Sequence, residues 1–381
     1  MKKTSLLAGA IVLALSLAFE ACQSTAAAPG VPPRLTGVKA LVTIGGGTPM
    51  TPEFSPETTD YSLSVQSDIA TVGIVATAGA GARGSFLIGK KTAHSGAVVM
   101  IDLAVGDNVI PITLTGADGA TEVYSVHVNR ENITPVVDSF LKATYSDPST
   151  GVTLSYRLFV PANYDSAKSY PLVFFLHGAG DRGSDNLAPL MGTQGGTVWA
   201  KPDEQAKHPA FVLAPQCPGD PNGYQNGWTT LMTKGLSAPF TVRPELEAAY
   251  NLLQSVISRY NIDKNRIYGT GFSMGGFGMW AIAAEHPGAF AALVVACGGG
   301  DPARLPALAK TPAWIFHAVN DPTIPVSFGR ATAKALVDAG GTPKYTEYPA
   351  DTYFYPIAHV AWIPAYASAA MRDWVFTQSR Q

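Results

Sequence analysis

The chain has 381 residues, of which 46% are hydrophobic and 14% are charged. This length predicts two or three domains, and the apolar fraction is large enough to form buried cores, which excludes a wholly disordered chain. A formal net charge of −2 gives no electrostatic basis for binding nucleic acid or an anionic membrane surface. With 38 glycines and 29 prolines, the composition favours an exported enzyme or a β-rich domain over a helical bundle.

Residues 1–28 have the features of a secretory leader. Lys2 and Lys3 precede an apolar run, Leu6 to Phe19, that is shorter than the roughly 20 residues needed to span a bilayer. Cys22 follows this run and resembles the acceptor cysteine of bacterial lipoproteins, which would anchor the protein to a membrane through a lipid. The alternative is simple cleavage near Ala26–Ala28. We therefore expect an exported protein that is periplasmic, extracellular or lipid-anchored to the bacterial envelope.

Residues 33–131 contain several short segments of alternating or β-branched character, separated by turn signals. The predicted strands are Tyr61–Val65, Val72–Ala76, Val98–Leu103, Val109–Leu114 and Glu122–Val128, and the predicted turns are Gly106-Asp107-Asn108 and Ala117-Asp118-Gly119. Short strands at this spacing predict a small all-β sandwich. The segment contains no grouping of residues typical of catalysis.

The same segment resembles the cadherin-like β-sandwich domain of bacterial secreted proteins. The matching residues are Phe54 through Tyr61, Gly106-Asp107-Asn108, and Asp118-Gly119 through Tyr124 to Arg130. The resemblance implies a spacer or a binding role, the latter through contact with carbohydrate or a cell surface. No alternating-aspartate calcium motif is evident.

Residues 135–381 have a different pattern, in which continuous apolar runs alternate with segments of helical spacing. The runs are Leu172–Leu176, Phe211–Ala214, Leu293–Ala296 and Ala313–Phe316, and the helical segments include Pro244–Tyr260 and Phe277–Ala284. Unalternating runs are typical of strands buried on both faces of a parallel sheet. The alternation predicts a doubly wound α/β domain with a mostly parallel sheet.

The pentapeptide Gly271-Phe272-Ser273-Met274-Gly275 matches the pattern G-x-S-x-G. A short apolar segment, Arg266–Gly269, precedes it, and a helix-forming segment follows it. This order of strand, tight turn and helix is the one that a nucleophile elbow requires. Ser273 is therefore the candidate nucleophile.

A serine nucleophile needs a general base, and three histidines follow Ser273: His286, His317 and His359. His286 is predicted at the far end of the helix after the elbow, and His317 ends a buried strand. His359 lies in a loop after the last predicted strand, Lys344 to Tyr348, which is where an α/β-hydrolase places its base. We therefore predict His359 as the base.

The third member of the triad is an acid on a loop at the end of a late strand. Asp321 directly follows the predicted strand that ends near His317, and its role would be to orient the imidazole and stabilise the imidazolium. Asp301 and Asp351 also follow predicted strands and are rival candidates.

The glycine-rich sequence His177-Gly178-Ala179-Gly180 follows a buried strand. A turn of this kind can direct a backbone N–H at the oxyanion, together with the N–H of Met274 after the nucleophile. We assign the first donor to Ala179, with Gly178 as the alternative. Gly178 is also a candidate substrate contact. His177 is predicted to be a structural residue of the turn.

The residues of the second domain resemble the α/β-hydrolase esterases related to polyhydroxybutyrate depolymerases and to prolyl-oligopeptidase-type hydrolases. The matching residues are Leu176 through Asn186, Ala214 through Cys217, Asn261 through Gly276, Asn320-Asp321 with Ile324-Pro325, and His359 with Trp362. The resemblance implies a triad of Ser273, Asp321 and His359. It also implies carboxylic-ester hydrolysis. The aromatic sequence Tyr353 to Pro356 departs from the family pattern and leaves the substrate preference open.

Two further predictions concern the remaining chemistry-bearing residues. Trp228 either lines the substrate pocket or packs in the core. Cys217 and Cys297 follow the ends of buried strands, and a separation of three strands, roughly 14 Å at about 4.8 Å per strand, predicts free thiols rather than a disulfide. There is no metal-binding or dinucleotide motif, so no metal or cofactor is implied.

The sequence thus predicts an exported two-domain serine esterase that acts on a small-molecule or polymer-bound ester. A prolyl-oligopeptidase-type serine peptidase is the second hypothesis, and an adhesion or binding protein with an inert hydrolase domain is the third. The natural ester is not determined by the sequence.

Overall fold

A computed structural model describes residues 33–42, 48–79, 81–220, 226–350 and 359–380. Three sequence predictions lie outside these residues: the predicted leader with Cys22, the rival acid Asp351 and the aromatic sequence 353–356. Among the helices that the model describes, none is both long enough and apolar enough to cross a bilayer.

The first domain is a β-sandwich. Its strands are β1 (Leu35–Leu41), β2 (Asp60–Val65), β3 (Thr71–Ala78), β4 (Phe86–Ile88), β5 (Lys91–Ala93), β6 (Val98–Asp102), β7 (Gly106–Thr115) and β8 (Thr121–Arg130). One sheet has the order β1-β3-β6 and the other β2-β8-β7-β4-β5. Alternate side chains of β2 are buried, as expected for a strand with one face on a core and one in solvent. The predicted sandwich is confirmed.

One feature of the sandwich differs from the sequence-based prediction, and a second is one that the sequence did not address. The predicted turn Gly106-Asp107-Asn108 is the beginning of β7, where Asp107 and Asn108 pair with the end of β8. In addition, β2 pairs with β8 in parallel, while the other strand pairs of the sandwich are antiparallel. Neither feature has a local signal, because each depends on a partner strand that is distant in sequence.

The second domain is built on an eight-stranded sheet. Its strands are β9 (Leu141–Ser146), β10 (Thr153–Phe159), β11 (Tyr170–Leu176), β12 (Phe211–Gln216), β13 (Ile262–Phe272), β14 (Ala292–Ala296), β15 (Ala313–Ala318) and β16 (Lys344–Tyr348). The order is β16-β15-β14-β13-β11-β12-β10-β9. The six strands β16, β15, β14, β13, β11 and β12 are parallel to one another. At the other edge, β10 pairs antiparallel with both β12 and β9.

Helices cover both faces of this sheet. They are α1 (Thr134–Asp138), α2 (Ala188–Met191), α3 (Gln194–Thr197), α4 (Pro202–Lys207), α5 (Leu231–Lys234), α6 (Pro244–Arg259), α7 (Met274–Glu285), α8 (Ser327–Asp338), α9 (Trp362–Ala367) and α10 (Ala369–Phe376). Every residue of β11, β12 and β14 is buried. The apolar runs therefore form strands between two hydrophobic cores, and the predicted α/β-hydrolase architecture is confirmed.

The topology explains the state of the two cysteines. Cys217 follows β12 and Cys297 follows β14, and two strands, β11 and β13, separate these in the sheet. Both thiols are free and buried, as the strand spacing predicts. Burial raises the pKa of Cys297 well above its usual value, so this side chain is a neutral thiol.

Candidate active site

Ser273 occupies a sharp turn between β13 and α7. Its backbone has φ 53° and ψ −124°, a strained conformation for a residue with a side chain. The Ser273 N–H donates to the Ala296 carbonyl at the end of β14, at 3.0 Å. A Cβ atom at Gly275 would lie 2.0 Å from the Leu176 carbonyl oxygen, and one at Gly271 would lie 2.6 Å from the Gly275 carbonyl oxygen. Both glycines are therefore required for the close approach of backbone that forms the elbow.

The imidazole of His359 lies beside the Ser273 hydroxyl. The distance from His359 Nε2 to Ser273 Oγ is 2.9 Å, so the hydroxyl can donate its proton directly to this nitrogen. The His359 side chain is 11% exposed. A largely desolvated imidazole in this position can act as a general base.

Asp321 contacts the other nitrogen of the same ring. Its Oδ2 atom is 2.7 Å from His359 Nδ1, and its Oδ1 atom accepts the N–H groups of Thr323 and Ile324, each at 2.9 Å. Burial would raise the pKa of Asp321, but hydrogen bonds from His317, His359 and the backbone outweigh it and hold the pKa well below its usual value. Asp321 is therefore an ionised carboxylate that fixes the orientation of His359.

The other candidates for base and acid lie elsewhere or have other contacts. His286 stacks on Tyr250 with ring centroids 3.9 Å apart. Asp301 caps a turn by accepting the N–H of Ala303. His317 is fully buried, with Nε2 at 2.9 Å from the Ile324 carbonyl and 3.5 Å from Asp321 Oδ2. His317 thus lies behind the Asp321 carboxylate and out of reach of solvent.

His177 has a structural position in the glycine-rich loop, as the sequence predicts. Its Nε2 atom accepts the N–H of Cys217 at 2.9 Å, and its Nδ1 atom is 2.7 Å from the Gly178 carbonyl. Burial lowers the pKa of His177 to about 4. A neutral, fully buried imidazole with both nitrogens engaged connects this loop to the end of β12.

The candidate oxyanion donors lie at the same edge of the sheet. Met274 is the first residue of α7, where a helix leaves its N–H groups without intrahelical acceptors. Ala179 begins a short 3-10 turn, Ala179–Asp181, and Gly178 before it is extended. A Cβ atom at Gly178 would lie 2.5 Å from the Phe272 ring. The glycine thus lets the loop pack directly on the residue before the nucleophile.

Trp228 is completely buried, and its location favours the packing alternative over the pocket-lining one. Its indole N–H donates to the His177 carbonyl at 3.1 Å, and the two rings meet edge to face at 5.1 Å. Trp228 therefore supports the loop that carries Gly178 and Ala179.

Sequence reasoning missed Cys297 as a member of the site. One ligand-type atom from each of Cys297, Asp321 and His359 lies within 4.8 Å of the others, and Cys297 has a left-handed backbone with φ 48°. Its position directly after a strand that neighbours β13 is the signal that could have found it. A second cluster of this kind contains Glu204, His208 and Asp373, but the guanidinium of Arg372 lies 2.6 Å from Glu204 Oε2 and opposes a bound cation.

Two family models match this chain, each over one domain. Residues 35–131 match the cadherin-like β-sandwich domain, and residues 163–353 match the phospholipase/carboxylesterase family. A solved structure described as a thermostable esterase is 32% identical, with a TM-score of 0.61, and the match covers 84% of this chain and 99% of that one.

Curated relatives match about half of the chain. The probable feruloyl esterase C of Aspergillus terreus is 26% identical over 196 residues, and the feruloyl esterase C of Emericella nidulans is 27% identical over 194 residues. In both cases the match covers 49% of this chain and 62% of the relative. Together with the fold and the family models, these matches assign the chain to a family. It belongs to the phospholipase/carboxylesterase family of α/β-hydrolases and carries a cadherin-like β-sandwich domain before the α/β domain.

Proposed function

We propose that this chain is an exported serine carboxylic-ester hydrolase that works through a Ser273-His359-Asp321 triad and an acyl-enzyme. The observation that carries the proposal is the continuous hydrogen-bonded path from Ser273 Oγ through both His359 nitrogens to Asp321. The matched family and the relatives named as esterases support ester hydrolysis.

In the first step Ser273 Oγ attacks the ester carbonyl carbon while His359 Nε2 takes the hydroxyl proton. A new C–O bond forms, and the carbonyl π electrons move to oxygen to give a tetrahedral oxyanion. The ionised Asp321 accepts the Nδ1–H hydrogen bond and stabilises the imidazolium. The Met274 and Ala179 N–H groups donate to the oxyanion in this proposal, with Gly178 as the alternative donor and as a substrate contact.

Collapse of the tetrahedral intermediate breaks the bond to the alcohol oxygen, which takes the proton from His359. The acyl group stays on Ser273. Water then attacks the acyl-enzyme, His359 takes a proton from this water, and a second collapse releases the carboxylic acid and restores the serine hydroxyl. Every proton in the cycle passes through His359 Nε2.

The test is turnover of p-nitrophenyl acetate and butyrate by the wild type, Ser273→Ala and the control Ser258→Ala. Ser258 is an exposed residue of α6. We expect Ser273→Ala to lower kcat by roughly 10⁴-fold or more and Ser258→Ala to leave it unchanged. A Ser273→Ala variant with wild-type turnover would remove Ser273 as the nucleophile. An inactive wild type would favour the hypothesis of an inert hydrolase domain.

For the substrate, we propose esters of aromatic acids such as ferulic acid. The support is the name of the relatives, feruloyl esterase C. The measurement is kcat/KM for methyl ferulate against p-nitrophenyl butyrate and against a prolyl peptide substrate. Higher kcat/KM for methyl ferulate supports the proposal. Cleavage of the peptide but of neither ester would favour the peptidase hypothesis.

We also propose the organisation of the chain as a leader at 1–28, a sandwich at 33–131 and a hydrolase domain at 135–381. The leader would export the protein, and a lipid on Cys22 would anchor it. Mass spectrometry of the mature N-terminus from a bacterial host tests both points. A lipid mass on Cys22 that is lost in Cys22→Ser supports anchoring, and an unmodified N-terminus near Ala26–Ala28 supports simple cleavage. We further propose that the sandwich domain contacts a carbohydrate or a cell surface.

A further inference from the structure

The segment that follows His359, residues 360–363 (hereafter the His359 segment), lies between the two domains. Ile363 is 5% exposed and is part of the hydrophobic core of the sandwich, although it belongs to α9 of the hydrolase domain. Val360 and Trp362 pack both on the sandwich core and on one core of the hydrolase domain. The side chains just after His359 are therefore in contact with both domains.

Trp362 connects this segment to the reacting residues. Its ring centroid is 4.6 Å from that of Phe272, the residue before Ser273. The same ring meets the His359 imidazole edge to face, at 5.2 Å and an interplanar angle of 86°. One indole thus contacts the base and the neighbour of the nucleophile.

Cys297 lies next to the same segment, and both Cys297 and Ala361 are fully buried in one core of the hydrolase domain. Burial raises the pKa of the thiol, and the nearby backbone N–H groups of Ala361 and Trp362 act in the opposite direction. This buried thiol is also within 4.8 Å of the ligand-type atoms of Asp321 and His359. The segment therefore packs on the hydrolase domain next to Cys297 and on the core of the sandwich.

A polar chain next to these contacts fixes the sandwich in place. Asp68, in the sandwich, accepts a hydrogen bond from Gln194 of α3 at 3.3 Å. Lys201 donates to Gln194 Oε1 at 2.7 Å and pairs with Glu131 at the end of the sandwich. Burial raises the pKa of Asp68 above its usual value. The domain contact thus includes both an apolar and a partly buried polar part.

We propose that the sandwich domain is a positioning element of the active site, which holds His359 against Ser273 through Trp362 and Ile363. The inference rests on the proposed function, because the position of His359 relative to Ser273 affects the rate only if the two residues hydrolyse an ester. Trp362 acts through the His359 imidazole that it contacts, and Ile363 acts through the segment that carries both, so they are positioning residues. Since a misplacement of about 1 Å at a reacting group can cost about 100-fold in rate, loss of these contacts should lower kcat with little effect on KM.

The experiment uses the full chain with four variants: Trp362→Ala, Trp362→Phe, Ile363→Ala and the control Ile88→Ala. Ile88 is a fully buried residue of the same sandwich core. It lies in β4, three strands from β2 in its sheet, while Asp68 follows β2. Ile88→Ala removes the same atoms from the same core as Ile363→Ala, but at a residue outside the His359 segment. It therefore controls for loss of sandwich stability.

The first readout is kcat and KM for p-nitrophenyl butyrate. The second is the downfield proton resonance of the His359 Nδ1–H group, which reports its hydrogen bond to Asp321 without any turnover. We expect Trp362→Ala to lower kcat about 10- to 100-fold and to weaken or broaden the resonance. Ile363→Ala should act in the same direction but less, and Trp362→Phe should recover most of the loss.

Wild-type kcat and an unchanged resonance in either alanine variant of the segment would overturn the proposal. An equal loss of kcat in Ile88→Ala would do so as well, because the effect would then reflect stability alone. If Trp362→Ala does not fold, the comparison of Ile363→Ala with Ile88→Ala decides the question. If the wild type hydrolyses no ester, the proposed function fails, while the resonance still tests the positioning of His359.

Discussion

The Nε2 atom of His359 lies 2.9 Å from the hydroxyl oxygen of Ser273, although 86 residues separate them in sequence. The sheet brings them together, because parallel strands end at the same edge. Ser273 follows β13, Asp321 lies in the loop after β15, and His359 comes after β16. The arrangement of these three residues is thus a direct result of strand order.

The first prediction concerns Asp321 and has a defined pH dependence. The folded-state pKa of this carboxyl is below its usual value of 3.8, so it adds stability above about pH 4, and this contribution is lost as the pH falls further. Asp321→Asn should therefore be less stable than the wild type at pH 7. The difference between the two in urea midpoint should shrink below about pH 4.

The same variant should lower kcat by roughly 10³- to 10⁴-fold, because an amide cannot stabilise the imidazolium and favours the wrong tautomer. Circular dichroism at pH 7 checks that the fold is intact. A difference in urea midpoint that stays constant from pH 7 to pH 3 would contradict the assignment of Asp321 as an ionised carboxylate.

The second prediction concerns Asp181 in the loop with Gly178 and Ala179. Burial raises its pKa to about 7 from the usual 3.8. A folded state that binds the proton more tightly loses stability as the pH rises between these values. Asp181→Asn removes the titrating group, so its stability relative to the wild type should increase from pH 4 to pH 7 and then level off.

Urea midpoints of both proteins at pH 4, 6 and 8 check this expectation. Asp203→Asn, at an exposed position of α4, controls for the loss of one negative charge. If the urea midpoints of Asp181→Asn and the wild type differ by the same amount at all three values of pH, the prediction that the pKa of Asp181 is raised is wrong.

The third prediction concerns the close approach at Gly275. A Cβ atom there would lie 2.0 Å from the Leu176 carbonyl oxygen, so either the elbow or the end of β11 must move. Gly275→Ala should lower the free energy of unfolding by about 1–3 kcal/mol or more and abolish most ester turnover. Gly84→Ala is the matched control, because a Cβ atom at Gly84 has no neighbour within 4 Å. Equal stability and turnover for both variants would contradict the tight elbow.

Local patterns were sufficient to predict both domain architectures, and the fixed order of residues in α/β-hydrolases then indicated Ser273, Asp321 and His359, but not Cys297. The continuous apolar run of β11 is buried along its whole length, and β16 has the predicted bounds, Lys344–Tyr348. The tight turn at Ser273 has a strong local signal because few residues other than glycine permit such a close approach of backbone. These features depend on residues that are adjacent in sequence.

Features that depend on distant partners could not be predicted in this way. The parallel pairing of β2 with β8 and the entry of Gly106-Asp107-Asn108 into β7 depend on strand partners that no periodicity identifies. The location of Ile363 in the core of the other domain is of the same kind. A hydrophobic residue on a short helix predicts burial, but it does not predict which surface it is buried against.

The most direct test of the catalytic assignment is covalent labelling with a p-nitrophenyl alkylphosphonate, followed by peptide mass spectrometry. Ser273 Oγ of the wild type should displace p-nitrophenol from the reagent and carry one phosphonyl group. His359→Ala should label far more slowly, because the substitution removes the base that lies within hydrogen-bonding distance of the serine. Labelling of a different residue, or equal labelling rates in wild type and His359→Ala, would contradict the assignment of Ser273 as the nucleophile activated by His359.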